Sequence, residues 1–94
     1  MNDNSRRGKI QIYADILKVI KTSNGRIKKT HIVYKANLTH SRLNNYLELL
    51  LEKGFIAEEK IGAGIFYKIT ERGIKFLGDM TKLKEISTAF GFPV

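Results

Sequence analysis

Cysteine is absent from this chain of 94 residues, and the only proline is Pro93. The lack of cysteine excludes disulfide bridges, thiolate nucleophiles and cysteine-ligated metal sites. The two histidines, His31 and His40, have no neighbouring carboxylates at a ligand spacing, so we expect no metal. No serine, histidine and aspartate form a catalytic arrangement, and no site for a cofactor or small-molecule ligand is evident. These absences argue against an enzyme.

Long apolar runs are also missing. The sequence has no stretch of about 18 consecutive apolar residues, so we expect no membrane span. It shows no charged-then-apolar leader of a secreted protein. Together with the lack of cysteine, this favours an intracellular protein.

Acidic residues are missing from a long internal stretch. None occurs between Asp15 and Glu48, and we call residues 16–47 the acid-free segment. The chain has a net charge of +8 at pH 7, and this segment carries seven of its cations: Lys18, Lys21, Arg26, Lys28, Lys29, Lys35 and Arg42. Such a basic segment suits a polyanionic partner, either nucleic acid or an anionic membrane surface. A solvated basic face that only aids solubility is the alternative, but the clean segregation favours binding.

Hydrophobic spacing predicts one small domain, mainly α with a small β-hairpin. Helices are expected at about residues 8–22, 29–36, 39–53 and 71–90. Strands are expected at 55–61 and 65–69, joined by the loop Gly62-Ala63-Gly64, with a possible minor strand near Ile27. Residues 1–7 are predicted to form a disordered basic tail. The order is helix, helix, helix, strand, strand, helix.

The second and third predicted helices are separated by a tight turn, which is typical of a helix-turn-helix. Thr39 is expected to cap the third helix. With Leu43, Leu47, Leu50 and Leu51 facing inward, the outer face of its first turns carries Ser41, Arg42, Asn44 and Asn45. Such side chains can hydrogen-bond to base edges in the major groove of DNA. An ordinary solvent-exposed face is the alternative, and the acid-free segment around it favours base contact.

A further set of residues is predicted to contact DNA phosphates, which positions a protein without reading sequence. These residues flank the third helix or the hairpin: Lys28, Lys29, Lys35, Thr39, His40, Lys60 and Lys68. For His40, simple solvent exposure is an equal alternative. The hairpin glycines do not open a helix in a βαβ unit, so we interpret them as a tight turn and not as a nucleotide-binding loop.

The last predicted helix carries an apolar stripe, which we interpret as a homodimer interface. Its members are Phe76, Met80, Leu83, Ile86 and Phe90. Ile74 and Leu77 are expected to fix the helix to its own domain, and folding back of the whole helix is the alternative. In the first helix, Ile12 and Val19 lie roughly opposite the main apolar face, where they could contact another element or another subunit.

Two long stretches, IVYKANLTHSRLNNYLELLLEKGFIAEE and GIFYKITERGIKFL, carry a family resemblance. Their pieces Y-x-A-N-L, L-x-x-G-x-I and Y-x-I-T-x-x-G resemble small basic winged-helix proteins of Sulfolobus-type archaea. That family includes chromatin-associated DNA-binding proteins and predicted transcriptional regulators. The resemblance covers about Ile10 to Leu83, most of the chain. It implies a winged helix-turn-helix domain at 8–70 and a C-terminal dimerisation helix within 71–94.

The resemblance also implies DNA contact through the third helix and through the wing around Gly62 to Gly64, with the last helices paired antiparallel. Because this last helix ends near Phe90-Gly91-Phe92-Pro93, we expect a compact dimer and not a long rod.

We therefore predict a protein that binds double-stranded DNA, as a transcriptional regulator or a chromatin-architectural protein, cytoplasmic and nucleoid-associated. The alternative is a protein–protein interaction module on a winged-helix frame. That module would use the last helix together with Ile12 and Val19, and it would not bind DNA.

Overall fold

A computed structural model of the protein describes residues 8–92, so the predicted tail at residues 1–7 lies outside the described part. The described chain forms α1 (Lys9–Lys21), β1 (Ile27–Lys28), α2 (Lys29–Ala36), α3 (His40–Glu52), β2 (Ile56–Ile61), β3 (Gly64–Ile69) and α4 (Glu71–Ala89). The predicted order of elements is confirmed, including the minor strand at Ile27. The three strands form one antiparallel sheet in the order β1-β3-β2.

The turn between α2 and α3 depends on one left-handed residue. Asn37 has φ +56° and ends α2, which asparagine tolerates better than most residues. The backbone N–H of Leu38 then donates to the carbonyl of Val33 at 3.1 Å, and Leu38 is buried. The turn is therefore closed both by a backbone hydrogen bond and by apolar packing, so it holds α3 at a defined angle to α2.

The core contains side chains from α1, α2, α3 and the sheet. Its largest fully buried members are Ile12, Ile16, Leu17, Ile20, Ile32, Leu43 and Leu50. Leu51, which we expected on the buried side of α3, is only half-buried and packs at the edge of this core.

Of the two alternatives for Ile12 and Val19, contact with other elements of the same domain is the one observed, and the exposed interaction surface proposed for them is not. Ile12 is only 1% exposed, and Val19 packs half-buried against the same core. The reason is that α1 packs against α2, α4 and β3. Both of its apolar stripes are therefore covered within the domain. The alternative of an interaction module loses the part of its proposed surface that α1 was to provide.

The start of helix α4 is capped by a side chain, and it packs against the base of the hairpin. The Thr70 hydroxyl accepts from the Gly73 N–H at 3.2 Å and donates to the Gly54 carbonyl at 2.6 Å. Gly73 is buried, and a methyl group there would overlap the Phe55 carbonyl oxygen and approach Ile69 Cγ1 to 2.7 Å. This position therefore requires glycine because the backbone passes so close.

The apolar stripe of α4 is divided between two environments. Phe76 packs against Phe55 of its own domain, with ring centroids 5.2 Å apart. Leu77 also packs on the core, as expected, whereas Ile74 is 44% exposed and does not fix the helix. Further along, Leu83, Ile86 and Phe90 are 52%, 56% and 74% exposed. The first turns of α4 thus belong to the domain, and the later turns leave it.

Candidate nucleic-acid interface

The first two turns of α3 present the predicted base-contacting side chains to solvent. Ser41, Arg42, Asn44 and Asn45 are all exposed. The helix is capped by Thr39, whose hydroxyl accepts from the Arg42 N–H at 3.2 Å. No acidic residue lies in the first turn, and α3 therefore combines exposed N–H groups, a positive helix end and hydrogen-bonding side chains.

Sequence reasoning missed one cation beside this surface. Lys9, at the start of α1, lines a shallow groove together with Arg42, Asn45, Tyr13 and Tyr46. The two tyrosine rings meet edge to face, 4.9 Å apart at 79°, and they connect α1 to α3. Burial, with a smaller contribution from Tyr46, raises the pKa of Tyr13. The sequence shows Lys9 close to two upstream arginines, but not its approach to Arg42, because Tyr13 and Tyr46 are too far apart along the chain to be recognised as partners.

The predicted phosphate contacts do not form one group. Lys28 lies in β1, where its ammonium stands 5.4 Å from the centre of the Phe66 ring. Lys29 is half-buried, whereas Thr39 and His40 are exposed at the start of α3. Lys35 instead lines a groove between α1 and α2, beside Lys18. This groove shares no residue with the groove at Arg42, so Lys35 belongs to a different part of the surface.

The hairpin turn is shorter than predicted. Ile61 pairs with Gly64, which leaves a two-residue loop of Gly62 and Ala63, and Gly62 has φ +59°. Glycine at the first position of a two-residue loop is typical of a turn that matches the twist of the strands. The expected three-residue loop is therefore wrong, because Gly64 already belongs to β3.

Two of the cations predicted at the hairpin lie on opposite faces of it. Lys60 pairs with Ile65 and shares the face of buried Tyr67, whereas Lys68 lies on the outer face with Glu59 and Phe66. The Glu59 carboxylate is 3.8 Å from the Lys68 ammonium and 3.6 Å from Arg26 Nε. These exposed pairs are weak, but they lower the positive potential on the outer face.

Tyr67 anchors the inner face of the sheet. Its hydroxyl donates to Glu58 Oε2 at 3.3 Å. Burial first, and then the negative charge of Glu58, raise the pKa of Tyr67 above its ordinary value. The hairpin base is thus fixed by a buried aromatic ring, while the turn lies in solvent.

Among residues 8–92, no group of three potential metal ligands from histidine, cysteine, aspartate and glutamate comes together. Over the same residues, no helix has both the length and the apolar character needed to cross a bilayer.

The helix-turn-helix formed by α2 and α3, followed by a β2–β3 hairpin, defines a winged-helix protein. The model of a winged helix-turn-helix family matches residues 6–88, and the chain belongs to this family. An uncharacterized protein of Methanocaldococcus jannaschii, MJ0287, is 32% identical over 85 residues, which are 90% of this chain and 81% of the relative. The predicted kinship with archaeal winged-helix proteins is thereby confirmed.

Solved structures show the same fold. Sso10a-2, a DNA-binding protein from Sulfolobus solfataricus, superposes with a TM-score of 0.76 at 23% identity, covering 89% of this chain and 85% of that one. AbsC, a MarR family transcriptional regulator from Streptomyces coelicolor, superposes with a TM-score of 0.72 at 18% identity, covering 82% of this chain. The chain spans 55% of the length of AbsC.

Proposed function

We propose that this protein binds double-stranded DNA with the first turns of α3 in the major groove. The observation that carries the proposal is the exposed, acid-free and capped start of α3, which presents Ser41, Arg42, Asn44 and Asn45 together. Arginine can donate two hydrogen bonds to guanine, and asparagine can pair with adenine. These four residues are the proposed base contacts.

The proposed phosphate contacts surround this helix. Thr39 and His40 lie at its start, and Lys28 and Lys29 lie at the start of α2, whose first turn carries no acidic residue. We add Lys9, because it borders the same groove as Arg42. Lys35, Lys60 and Lys68 are more peripheral contacts. The role of a DNA-binding protein in Sso10a-2 and of a transcriptional regulator in AbsC supports the proposal, since both share the fold.

We further propose that the protein works as a compact homodimer, as a regulator or an architectural protein of the nucleoid. The proposed interface is the stripe Phe76, Met80, Leu83, Ile86 and Phe90. Its later members carry most of the exposed apolar surface of α4, and Phe76 adds only its half-buried edge. Two paired domains could place two copies of α3 in successive major grooves.

The DNA proposal is tested by titrating labelled duplex at several salt concentrations. Each phosphate neutralised by a lysine or arginine contributes a slope of about −0.9 in log K against log salt. We expect a steep slope that Lys28→Ala reduces by about that amount. Lys75→Ala is the matched control, because Lys75 lies on α4 and binds Asp79 at 2.9 Å. A flat salt dependence of the wild type would contradict the proposal.

Selection of bound duplexes from a random pool then separates the two roles. Enrichment of a palindrome indicates a dimeric regulator, whereas binding without enrichment indicates an architectural protein.

The dimer is tested by sedimentation. Analytical ultracentrifugation of the wild type should show a dimer at micromolar concentration. Leu83→Glu should dissociate it, and Lys82→Glu, a neighbouring exposed position outside the stripe, should not. A wild type that sediments as a monomer rules the dimer out.

A further inference from the structure

An apolar cavity of about 240 Å³ opens to solvent where α1, the end of α3 and α4 meet. Side chains of these helices line it together with Phe55, among them Ile10, Tyr13, Leu49, Lys53 and Phe76. The surface inside is apolar throughout, and we call this space the three-helix cavity. In another protein, an apolar cavity of about 150 Å³ stays dry and takes up benzene. The three-helix cavity therefore has room for a ligand of one or two rings.

Three of the side chains that line the cavity are aromatic. Phe55 and Phe76 lie with their ring centroids 5.2 Å apart and their planes tilted by 38°. Tyr13 is held from outside the cavity by its edge-to-face contact with Tyr46, at 4.9 Å. Aromatic rings favour offset or edge-to-face neighbours at centroid distances of about 4.5–7 Å. A planar aromatic ligand therefore suits these walls better than a saturated chain does.

The mouth of the cavity carries a positive charge. Lys53 is exposed and contributes to the lining, and because the inner surface is apolar, its methylene stem forms the wall while its ammonium lies at the rim. Glu48 and Glu52, the acidic residues of the same end of α3, do not line the cavity. Within residues 8–92, Lys53 makes no ion pair. A carboxylate on a bound ligand would therefore meet a cation that no protein carboxylate neutralises.

We infer that the three-helix cavity binds a small aromatic carboxylate, with its rings against Phe55, Phe76 and Tyr13 and its carboxylate beside the Lys53 ammonium. The inference does not depend on DNA binding. A second copy of the chain is the competing occupant, because Phe76 also belongs to the proposed dimer stripe. The exposed apolar end of α4 and its continuation, residues 86–92, carry no carboxylate to pair with Lys53. The charge at the rim therefore favours the small ligand.

The probe is 2-naphthoate, and 2-naphthamide is its neutral counterpart of the same shape. In an NMR titration of isotope-labelled protein, naphthoate should bind about threefold more tightly than the amide, which is the value of one exposed ion pair. Benzoate lacks one ring and should bind about tenfold more weakly than naphthoate, because less apolar surface is buried. Acetate should cause no saturable shift. Nuclear Overhauser contacts should join the naphthoate ring protons to the methyl groups of Ile10 and Leu49.

Four variants locate the site. Lys53→Met keeps the stem and removes the charge, so naphthoate and naphthamide should bind equally, whereas Lys82→Met, outside the cavity, should keep the preference. Leu49→Trp fills part of the cavity and should weaken both ligands about tenfold by overpacking. Leu51→Trp is the matched control, because Leu51 is also half-buried but does not line the cavity. If circular dichroism melts show that Leu49→Trp is unfolded, Ile10→Trp replaces it, since Ile10 is 54% exposed at the mouth.

Several results overturn the inference. One is a wild type that shows no saturable shift with millimolar naphthoate, or the same shifts with acetate. Another is an equal loss of binding in the tryptophan variants of Leu49 and Leu51. A third is naphthoate that dissociates a dimer in sedimentation, since the cavity then receives the second copy. None of these results bears on DNA binding, and a protein that binds no duplex would still hold the ligand.

Discussion

The start of α3 and the wing both project from the same small core, yet they carry opposite chemistry. The start of α3 is polar, without acids, and capped by its own Thr39. The wing has mixed charges at its base, where Glu59 meets Arg26 and Lys68, and isoleucines at its tip. The difference teaches that the net charge of the chain does not describe its individual surfaces. The start of α3 offers hydrogen-bonding groups, and the tip of the wing offers apolar side chains.

The largest expected effect concerns the contact between α4 and the base of the wing. Gly73→Ala places a methyl group against the Phe55 carbonyl, just before β2, and against Ile69, at the end of β3. We expect the free energy of unfolding to fall by about 3 kcal/mol, the upper range for overpacking. A urea denaturation curve measures it. Gly78→Ala is the control, because Gly78 faces open space, and it should stabilise α4 by about 1 kcal/mol. Equal effects of the two changes would contradict the close approach at Gly73.

The second expected effect separates base contact from phosphate contact. Arg42→Ala should remove about 2 kcal/mol of discrimination between duplexes of different sequence. Lys28→Ala should weaken all duplexes about equally and lower the salt slope. Competition binding with two duplexes at two salt concentrations measures both quantities. If the two variants behave alike, the assignment of α3 to base contact is wrong.

The third expected effect compares two helix caps. Thr39→Ala and Thr70→Ala each remove a hydroxyl that accepts from a backbone N–H at 3.2 Å, which should cost about 1 kcal/mol of folding stability. Thr70→Ala should cost about 1 kcal/mol more, because the Thr70 hydroxyl also donates to the Gly54 carbonyl. Only Thr39 lies at the proposed DNA surface. Thermal melts should therefore show the larger loss for Thr70→Ala, whereas anisotropy titrations should show weaker DNA binding for Thr39→Ala alone. A matching loss of DNA binding in Thr70→Ala would mean that both variants act through stability.

The smallest expected effect tests the mixed charge of the wing. Glu59→Gln removes the carboxylate that faces Arg26 and Lys68, so duplex affinity should rise by about 0.5 kcal/mol and the salt slope should steepen. Glu58→Gln changes the net charge equally, but Glu58 faces Tyr67 on the inner side. Affinity measured at low salt should rise more for Glu59→Gln. An equal rise in both variants would indicate a general charge effect and no local one.

Much of the fold was predictable because its signals are local. Leu43, Leu47 and Leu50 recur at helical spacing, and they are buried as expected. Thr39 and Thr70 each cap the helix that follows them, and Gly54, with φ +76°, follows α3 as predicted. The exposed face of α3 followed from the same spacing, since residues opposite a buried stripe face solvent.

The remainder depended on contacts between distant parts of the chain. Whether Ile12 is covered by its own domain or by another subunit could not be decided, because this requires knowing that α1 is packed from several sides. Lys9 joined the groove of Arg42 only through the packing of Tyr13 on Tyr46. The pairing of Glu59 with Arg26 needs the strand order, which places β1 beside β3 and across from β2.

By itself, the sequence determined the order of the elements, the caps of α3 and α4 and the concentration of positive charge in residues 16–47. These properties follow from spacing, capping and turn residues within a few positions of each other. Tertiary structure alone decided how Phe76 and Ile86 divide one stripe between core and solvent. It also decided which face of the wing receives Lys60 and which receives Lys68. The physical reason is that the exposure of a side chain and the register of a strand depend on which elements pack together. The spacing of residues within one element does not specify its packing partners.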